Sequence, residues 1–298
     1  MRLAGRSVIA TARRNPARAA HERHVLRALA DAGAPVPAVL AWGDGWLIQE
    51  DLGAVRLTGA LASGDAATAE RALDAALAAL ARCHEAGRAS GLAAAERGVI
   101  GADAGWRAGF AAMPGRLGAA AGLAPPPLDA VRLAARVWPP SVRFVKWDAR
   151  PGNAVLRADG SVAWFDWEHA GRRAPLDDLA WLLGDEYLGD RPAVEAALLA
   201  RWLGAFADGL GEAEARDYLA TMLCLHACVR LALIVSWRQR DGRWWDLDRA
   251  RRNDRVGVDA GLAAALCSRA GRWAEAGDAV RPLAGWFGDL SGWLRALP

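Results

Sequence analysis

The chain has 298 residues, 53% of them hydrophobic and 24% charged, with a net charge of +3. That length can bury a substantial core as one large domain or two small lobes, and so small a charge does not by itself imply a polyanionic partner. Arginine supplies every basic side chain except Lys146, in a chain also rich in Ala and Gly, so arginine content alone points to no ligand.

In chain order, Ser7–Ala12 has the β-branched content of a strand and is ended by Arg13-Arg14-Asn15-Pro16. Pro16 suits the start of a helix running to about Ala32, with Val25, Leu26 and Leu29 on its apolar side. Gly33-Ala34-Pro35-Val36-Pro37 breaks it, and Ala38–Trp42 and Trp46–Glu50 read as strands around the turn Gly43-Asp44-Gly45. From Gly53 the pattern is mostly helical, with Leu73, Leu77, Leu80 and His84 on one stripe. A break at Pro125-Pro126-Pro127 precedes a short β-rich segment: Val142–Val145, Ala154–Leu156 and Val162–Phe165, with a turn at Ala158-Asp159-Gly160. Helices return from Leu176 to the end. The expected architecture is α+β. A small mixed lobe with a short antiparallel sheet covers residues 1–52, and a large, mainly helical lobe covers 53–298, joined near Gln49–Gly53.

Cys83, Cys224, Cys228 and Cys267 show no disulfide-framework spacing and read as buried structural thiols of a reduced, cytoplasmic protein. In Cys224-Leu225-His226-Ala227-Cys228 the two thiols share a helix face while the imidazole points away, which argues against a metal site. Residues 1–14 hold no apolar stretch long enough for a signal peptide. The most apolar helix, around Cys224–Trp237, is interrupted by His226 and Arg230 and reads as too short to span a bilayer, so no membrane is expected as a partner.

The chemistry concentrates in residues 144–180. Phosphoryl transfer needs a carboxylate to receive the hydroxyl proton, oxygen ligands for Mg²⁺, and positive charge near the moving phosphate. Asp148 is followed five residues later by Asn153, with Pro151-Gly152 between them to permit a tight turn. Val162–Phe165, as a buried strand, would deliver Asp166 beside that turn. Asp148 would be the base, and Asn153 and Asp166 the metal ligands. An Asp-x₄-Asn pair alone is a weak signal; the pair followed by strand, turn, strand and Asp is much stronger.

Trp-Asp-Ala-Arg-Pro-Gly-Asn-Ala-Val-Leu, Phe-Asp-Trp-Glu and Pro-Leu-Asp-Asp-Leu-Ala together resemble the aminoglycoside phosphotransferase and choline-kinase-like family, with its protein-kinase-like fold. The resemblance implies an ATP-dependent kinase of small molecules bearing a hydroxyl, with ATP and Mg²⁺ as cofactors. It places Glu22 as the ion-pairing glutamate of the first helix and Gln49, Glu50 and Leu52 in an adenine-contacting hinge. Asp178 becomes a brace of the catalytic loop, Leu80–His84 part of the helix supporting it, and Arg150 a cation near the γ-phosphate. Three departures accompany it. Only six residues precede Ser7, so the two strands and phosphate-covering loop that open the family's fold are expected to be missing. The strand that should offer a phosphate-binding lysine has none, and Arg13, a planar fork, is the nearest basic candidate. Lys146 replaces the histidine usual two residues before the base. It is expected to pair with Asp166 or Asp148 and to supply charge near the phosphates. The alternative function is a kinase-like protein that binds or regulates without catalysis.

Residues 237–255 interleave Trp237, Trp244 and Trp245 with seven arginines, a pattern that can bind nucleic acid. Asp241, Asp246, Asp248 and Asp254 dilute that field, so a solvated face over buried tryptophans is the preferred account. His21 and His24 read as surface residues. Either Glu168 approaches the metal or the acceptor, or Trp167, Glu168 and His169 only shape the turn, and Asp185 and Glu186 could face a cationic acceptor.

Overall fold

In a computed structural model of the protein, Asn15 and Pro16 convert the first long strand into a helix. Asn15 Oδ1 accepts from Ala17 N at 3.0 Å, and proline occupies the first turn, where no N–H bond is needed. The structure describes the chain except residues 4, 95–97 and 253–254, and except the side chains of Leu3, Ser63 and Arg252. In order come β1 (Arg2–Leu3), β2 (Arg6–Ala12), α1 (Pro16–Asp31), β3 (Val39–Gly43), β4 (Trp46–Glu50), α2 (Leu57–Ser63) and α3 (Ala66–Ala89). Next are α4 (Ala104–Ala111), α5 (Met113–Ala121), α6 (Ala130–Arg136), β5 (Arg143–Val145), β6 (Ala154–Leu156), β7 (Val162–Trp164) and β8 (Gly171–Arg173). The chain ends with α7 (Pro175–Leu183), α8 (Pro192–Ala207), α9 (Glu212–Asp241), α10 (Leu247–Arg252), α11 (Ala260–Ala276) and α12 (Leu283–Ala296). The expected α+β class is found, with strand and helix bounds within a residue or two of the sequence reading through β4.

Contacts divide the chain into two units. Met1–Ile100 with Ser141–Asp178 forms the first, and Gly101–Pro140 with Leu179–Pro298 the second. The division falls elsewhere than the join expected at residues 49–53: residues 53–100 and 141–178 group with the N-terminal residues in the first unit.

In the first unit β1-β2-β4-β3 form an antiparallel sheet. A two-residue strand precedes β2: Arg2 pairs with Ser7 and Leu3 with Arg6. Gly45, at φ +75°, supplies the left-handed turn between β3 and β4, and its carbonyl accepts from Arg13 N at 2.7 Å. That bond fixes Arg13 directly beyond the end of β2. The strand pair β5–β8 and the hairpin β6–β7 lie against α3, whose Leu73, Ala76, Leu77, Leu80 and Cys83 are all buried. β8 escaped the sequence reading because Arg172-Arg173 lacks strand character; its pairing with β5 and its bridge to Val99 create it.

Gly87 of α3 lets Phe144 of β5 approach the helix. A Cβ there would stand 2.2 Å from Phe144 Cδ1. Phe144 is buried and stacked on Trp167 at 6.0 Å, so it has little room to give. Gly87→Ala is expected to cost about 1–3 kcal/mol of stability, measured by urea unfolding.

The core of the second unit is built on α9. The helix has 30 residues, so the expectation that it is too short to cross a bilayer was wrong. Its most apolar 18-residue window is 78% buried within the protein, the condition of a core helix. The low amphipathicity that hid its ends follows from burial on several sides at once.

Candidate active site

The loop after β5 is held from beneath by one carboxylate. Asp178 is fully buried; its Oδ2 accepts from Lys146 N and its Oδ1 from Trp147 N, both at 2.7 Å. His84 Nε2 reaches Asp178 Oδ2 at 2.7 Å. Trp147 stands in the left-handed region at φ 67°, and the Arg173 guanidinium lies 5.1 Å from its ring centroid. Arg173 is itself paired with Asp177 at 2.6 Å, with both side chains fully buried. The adjacent acids at the start of α7 therefore divide the work: Asp177 neutralises an arginine and Asp178 braces the loop.

Asp148 follows, half-buried, and Pro151–Asn153 forms a 3₁₀ turn that brings the amide back to it. Asn153 Nδ2 donates to Asp148 Oδ2 at 2.7 Å and to Asp148 O at 3.0 Å. Both partners are acceptors, so the amide orientation is dictated and its Oδ1 is turned away from them. The hairpin β6–β7 pairs Ala154 with Trp164, and Phe165 N donates to Asn153 O at 3.0 Å. Asp166 then leaves the hairpin at φ 59°, a second non-glycine residue in the left-handed region. The three polar groups singled out from spacing thus occupy one turn and the hairpin beside it.

Lys146 is fully buried, and its ammonium does not pair with a carboxylate as expected. Nζ donates to the main-chain oxygen of Asp166 at 2.5 Å and lies 5.1 Å from the Trp167 ring centroid. Its charge is directed at a peptide group, and what it holds is the left-handed residue itself.

Arg13 sits in a cage of acids. Its Nε and Nη2 donate to Glu22 Oε2 at 3.0 and 2.9 Å, Nη2 to Asp166 Oδ1 at 2.6 Å, and Nη1 to Glu168 Oε1 at 3.1 Å. Burial alone would lower the pKa of Arg13, but Glu22, Asp166 and Glu168 outweigh it and raise it. Burial lifts the Glu22 carboxyl above its usual range, with Arg13 pulling the other way. Glu22 Oε1 also accepts from Trp167 N at 3.3 Å, so the helix glutamate grips both the arginine and the loop after Asp166.

Beside this cluster lies a cleft of about 320 Å³, lined by Gln49, Glu50 and Leu52 together with Ile9, Pro37, Gly53, Arg56, Val155 and Phe165. Gln49, Glu50 and Leu52 are the ones named from the resemblance; the others carry no signal in the sequence. Arg56 anchors the lower wall, donating to Gly152 O at 3.0 Å with its guanidinium 5.3 Å from the Phe165 ring centroid. Ser7 Oγ donates to Asp51 Oδ2 at 2.5 Å, tying the segment after β4 to β2 and holding the Asp51 carboxyl below its usual range.

The other named residues fall elsewhere. Arg150 is half-buried at the entrance of the 3₁₀ turn, where its carbonyl accepts from Asn153 N. Asp185 and Glu186 do not face an acceptor: both are fully buried. Asp185 Oδ1 accepts from Tyr187 N at 3.0 Å, and Glu186 takes a two-pronged pair from Arg230 at 2.7 Å on each oxygen. His21 is half-buried, with Nε2 2.8 Å from Ala170 O, rather than a surface residue; His24 is exposed. His169 Nε2 lies 3.6 Å from Glu168 Oε1.

Trp237, Trp244 and Trp245 are half-buried rather than buried. Arg240, Arg238 and Arg255 cover their respective rings. The side chain of Arg252 and the whole of Asp254 lie outside the described residues. All four cysteine thiols are buried, and burial pushes them up; the His226 ring lies 4.2 Å from that of Trp181.

Residues 6–221 match the model of the phosphotransferase enzyme family, about three quarters of the chain. The chain belongs to that family. Its fold class is the protein-kinase-like one that the resemblance implied. Among solved structures, an aminoglycoside-3'-phosphotransferase of type VIII is 20% identical, with 76% of this chain and 84% of that one covered and a TM-score of 0.47. A macrolide 2'-phosphotransferase of Brachybacterium faecium is 19% identical, covering 88% and 84%, with a TM-score of 0.47. An aminoglycoside phosphotransferase of Streptomyces rimosus, solved with ADP and streptomycin, is 18% identical, covering 74% and 86%, with a TM-score of 0.45. No match was found among curated proteins.

For a phosphotransferase the donor set fits Mg²⁺. Among the described residues there is no cluster of three His, Cys, Asp or Glu side chains that would form a closed metal cage. Asn153 Oδ1 and Asp166 Oδ2 are oxygen donors left over from the bonds above, and Mg²⁺ is commonly held by one or two carboxylates together with substrate phosphates. Lys146→Met is expected to lower any phosphotransferase turnover about 10²-fold by loosening Asp166. Stability should shift by no more than about 1 kcal/mol, because the lost bond is offset by removing a buried ammonium. Lys146→His, which keeps a donor, should recover most of the turnover. Melting curves and turnover measured side by side check both halves.

Proposed function

We propose that this phosphotransferase moves the γ-phosphate of ATP to a hydroxyl of a small molecule, with Asp148 as the base. The observation that carries the reading is one hydrogen-bonded unit: Asp148 joined to Asn153, Asn153 joined to the strand before Asp166, and Asp166 joined to the Arg13–Glu22 pair. The cleft along Gln49–Leu52 opens beside that unit and is the place for the nucleotide base. Residues 1–52 act here as the nucleotide-binding lobe, and residues 53–298 carry the catalytic loop and the acceptor site.

Asp148 orients the acceptor hydroxyl and receives its proton, while Asn153 holds the carboxylate by its amide. Arg13 places fixed charge against the nucleotide phosphates, which is most of what a loose phosphoryl transition state asks of a protein. Arg150, two residues from the base, adds charge on the side of the transferred group. Asn153 and Asp166 would hold Mg²⁺, which when bound would supply neutralisation of phosphate charge. The catalytic unit leaves the acceptor open, because the chemistry of the site is separable from substrate choice. Aminoglycoside, choline-like amine, sugar and amino-alcohol hydroxyls all fit the mechanism. Four buried thiols suit a reducing, cytoplasmic setting.

The test is calorimetric titration of the full chain with ADP and ATP, with and without Mg²⁺, followed by transfer of labelled γ-phosphate to a panel of these acceptors and macrolides. Saturable nucleotide binding and labelling of one class are expected. An intact, folded protein that binds neither nucleotide would instead be a kinase-like binding protein.

A further inference from the structure

Arginine and lysine are not equivalent as phosphate-facing cations. An ammonium is one point charge that a single glutamate can hold, whereas a guanidinium is a planar fork with five N–H groups in fixed directions. A fork gripped at one edge can still rotate in its plane. Arg13 is gripped at both edges. Glu22 takes Nε and Nη2, and on the far side Glu168 takes Nη1. Glu168 is not free to wander, since its Oε2 lies 3.6 Å from Arg18 Nη1 on α1 and its side chain is 15% exposed. Arg18 is one helical turn before Glu22, so both anchors of the fork are tied to α1.

We propose that Glu168 is a positioning residue for Arg13, the second acceptor that makes an arginine usable where the strand lacks a lysine. This inference deepens the reading of Arg13 as the phosphate-facing cation and rests on it. Four of the five N–H groups are engaged, three by Glu22 and Glu168 and one by Asp166. Glu22 and Glu168 fix the plane of the fork. The Nη2 donor on Asp166 and the remaining Nη1 donor are those that nucleotide phosphate can take up. Glu168 acts through Arg13, not as a metal ligand.

The experiment uses the full chain in two arms. In the first, melting temperatures of Arg13→Ala, Glu168→Ala and the double variant are compared without ligand. The pair is expected to be non-additive; additive shifts overturn the tether. In the second, metal-free ADP is titrated by calorimetry. Glu168→Ala is expected to weaken ADP about tenfold when Arg13 is present and less than twofold in an Arg13→Lys background, because a lysine has no edge for Glu168 to hold. Glu168→Gln, whose amide oxygen still accepts from Nη1, should recover most of the loss, which a merely structural role would not produce. An equal ADP loss in both backgrounds, or a loss seen only as weakened Mn²⁺ affinity by electron paramagnetic resonance, overturns the proposal in favour of direct ligation. If the intact protein binds no ADP, the phosphotransferase reading fails together with the phosphate half of this one. Additive melts with ADP binding intact overturn the tether alone.

Discussion

Asp148→Asn is expected to reduce turnover by about 10²–10⁴-fold, equivalent to roughly 3–5 kcal/mol of barrier, with ADP affinity within about twofold of wild type. The size and the selectivity both follow from how little Asp148 does for the fold. It is half-buried, and among the described residues its carboxylate accepts only from Asn153 Nδ2, at 2.7 Å. An asparagine amide oxygen can accept the same bond, so the turn over Pro151–Asn153 should survive and the melting temperature should stay within a few degrees. What is removed is the capacity to take a proton. A loose phosphoryl transition state makes proton removal late, so part of the loss reflects poorer orientation of the hydroxyl. That places the result inside the range for one general base and not beyond it. Single-turnover transfer alongside ADP titration separates these quantities. Wild-type turnover in Asp148→Asn would remove Asp148 as the base.

Part of this site was legible because its geometry is local. Asp148 and Asn153 are joined by a turn whose Pro-Gly pair is visible in the sequence, and the strand before Asp166 has the composition of a buried strand. Arg13 and Glu22 were legible through family resemblance, and the salt bridge at 2.9 Å joins them. The pocket wall was not legible, because Ile9, Val155 and Phe165 are ordinary apolar residues gathered only by the tertiary fold. Nor could the sequence tell Asp177 from Asp178, neighbours whose side chains leave α7 in different directions to different arginine and amide partners. Lys146 shows a subtler limit. A buried ammonium needs compensation, and a carboxylate was the natural guess; a strained peptide carbonyl and an indole face supply it instead. Asp185 and Glu186 looked available for a ligand because sequence position does not reveal burial, and the partner of Glu186, Arg230, lies 44 residues away.

Asp178→Ala is expected to cost at least about 3 kcal/mol of stability and to lower the turnover of the molecules that remain folded. The carboxylate is fully buried and serves three donors, two of them backbone N–H groups. Each buried N–H left unpaired costs about 1–3 kcal/mol, and a cavity is added to that. Removing a buried charge gives some of it back, as it does for Lys146, but Lys146→Met removes the donor to one carbonyl whereas Asp178→Ala removes the acceptor of three donors. Against a total stability of roughly 5–15 kcal/mol, the difference is large enough to see as poor folding at 37 °C. The catalytic half of the prediction comes from where those donors are. Lys146 N and Trp147 N are the two amides before Asp148, and Trp147 is held at φ 67°; freed, the peptide relaxes and carries Asp148 off its line. Asp178→Asn should not rescue fully, since one amide oxygen cannot replace two carboxylate oxygens and the NH₂ group would face an N–H. Asp177→Asn is the matched control. It breaks the buried pair with Arg173 at 2.6 Å, so stability should fall while turnover per folded molecule holds nearer to wild type. If Asp178→Ala melts and turns over like wild type, the loop is held by something other than this carboxylate.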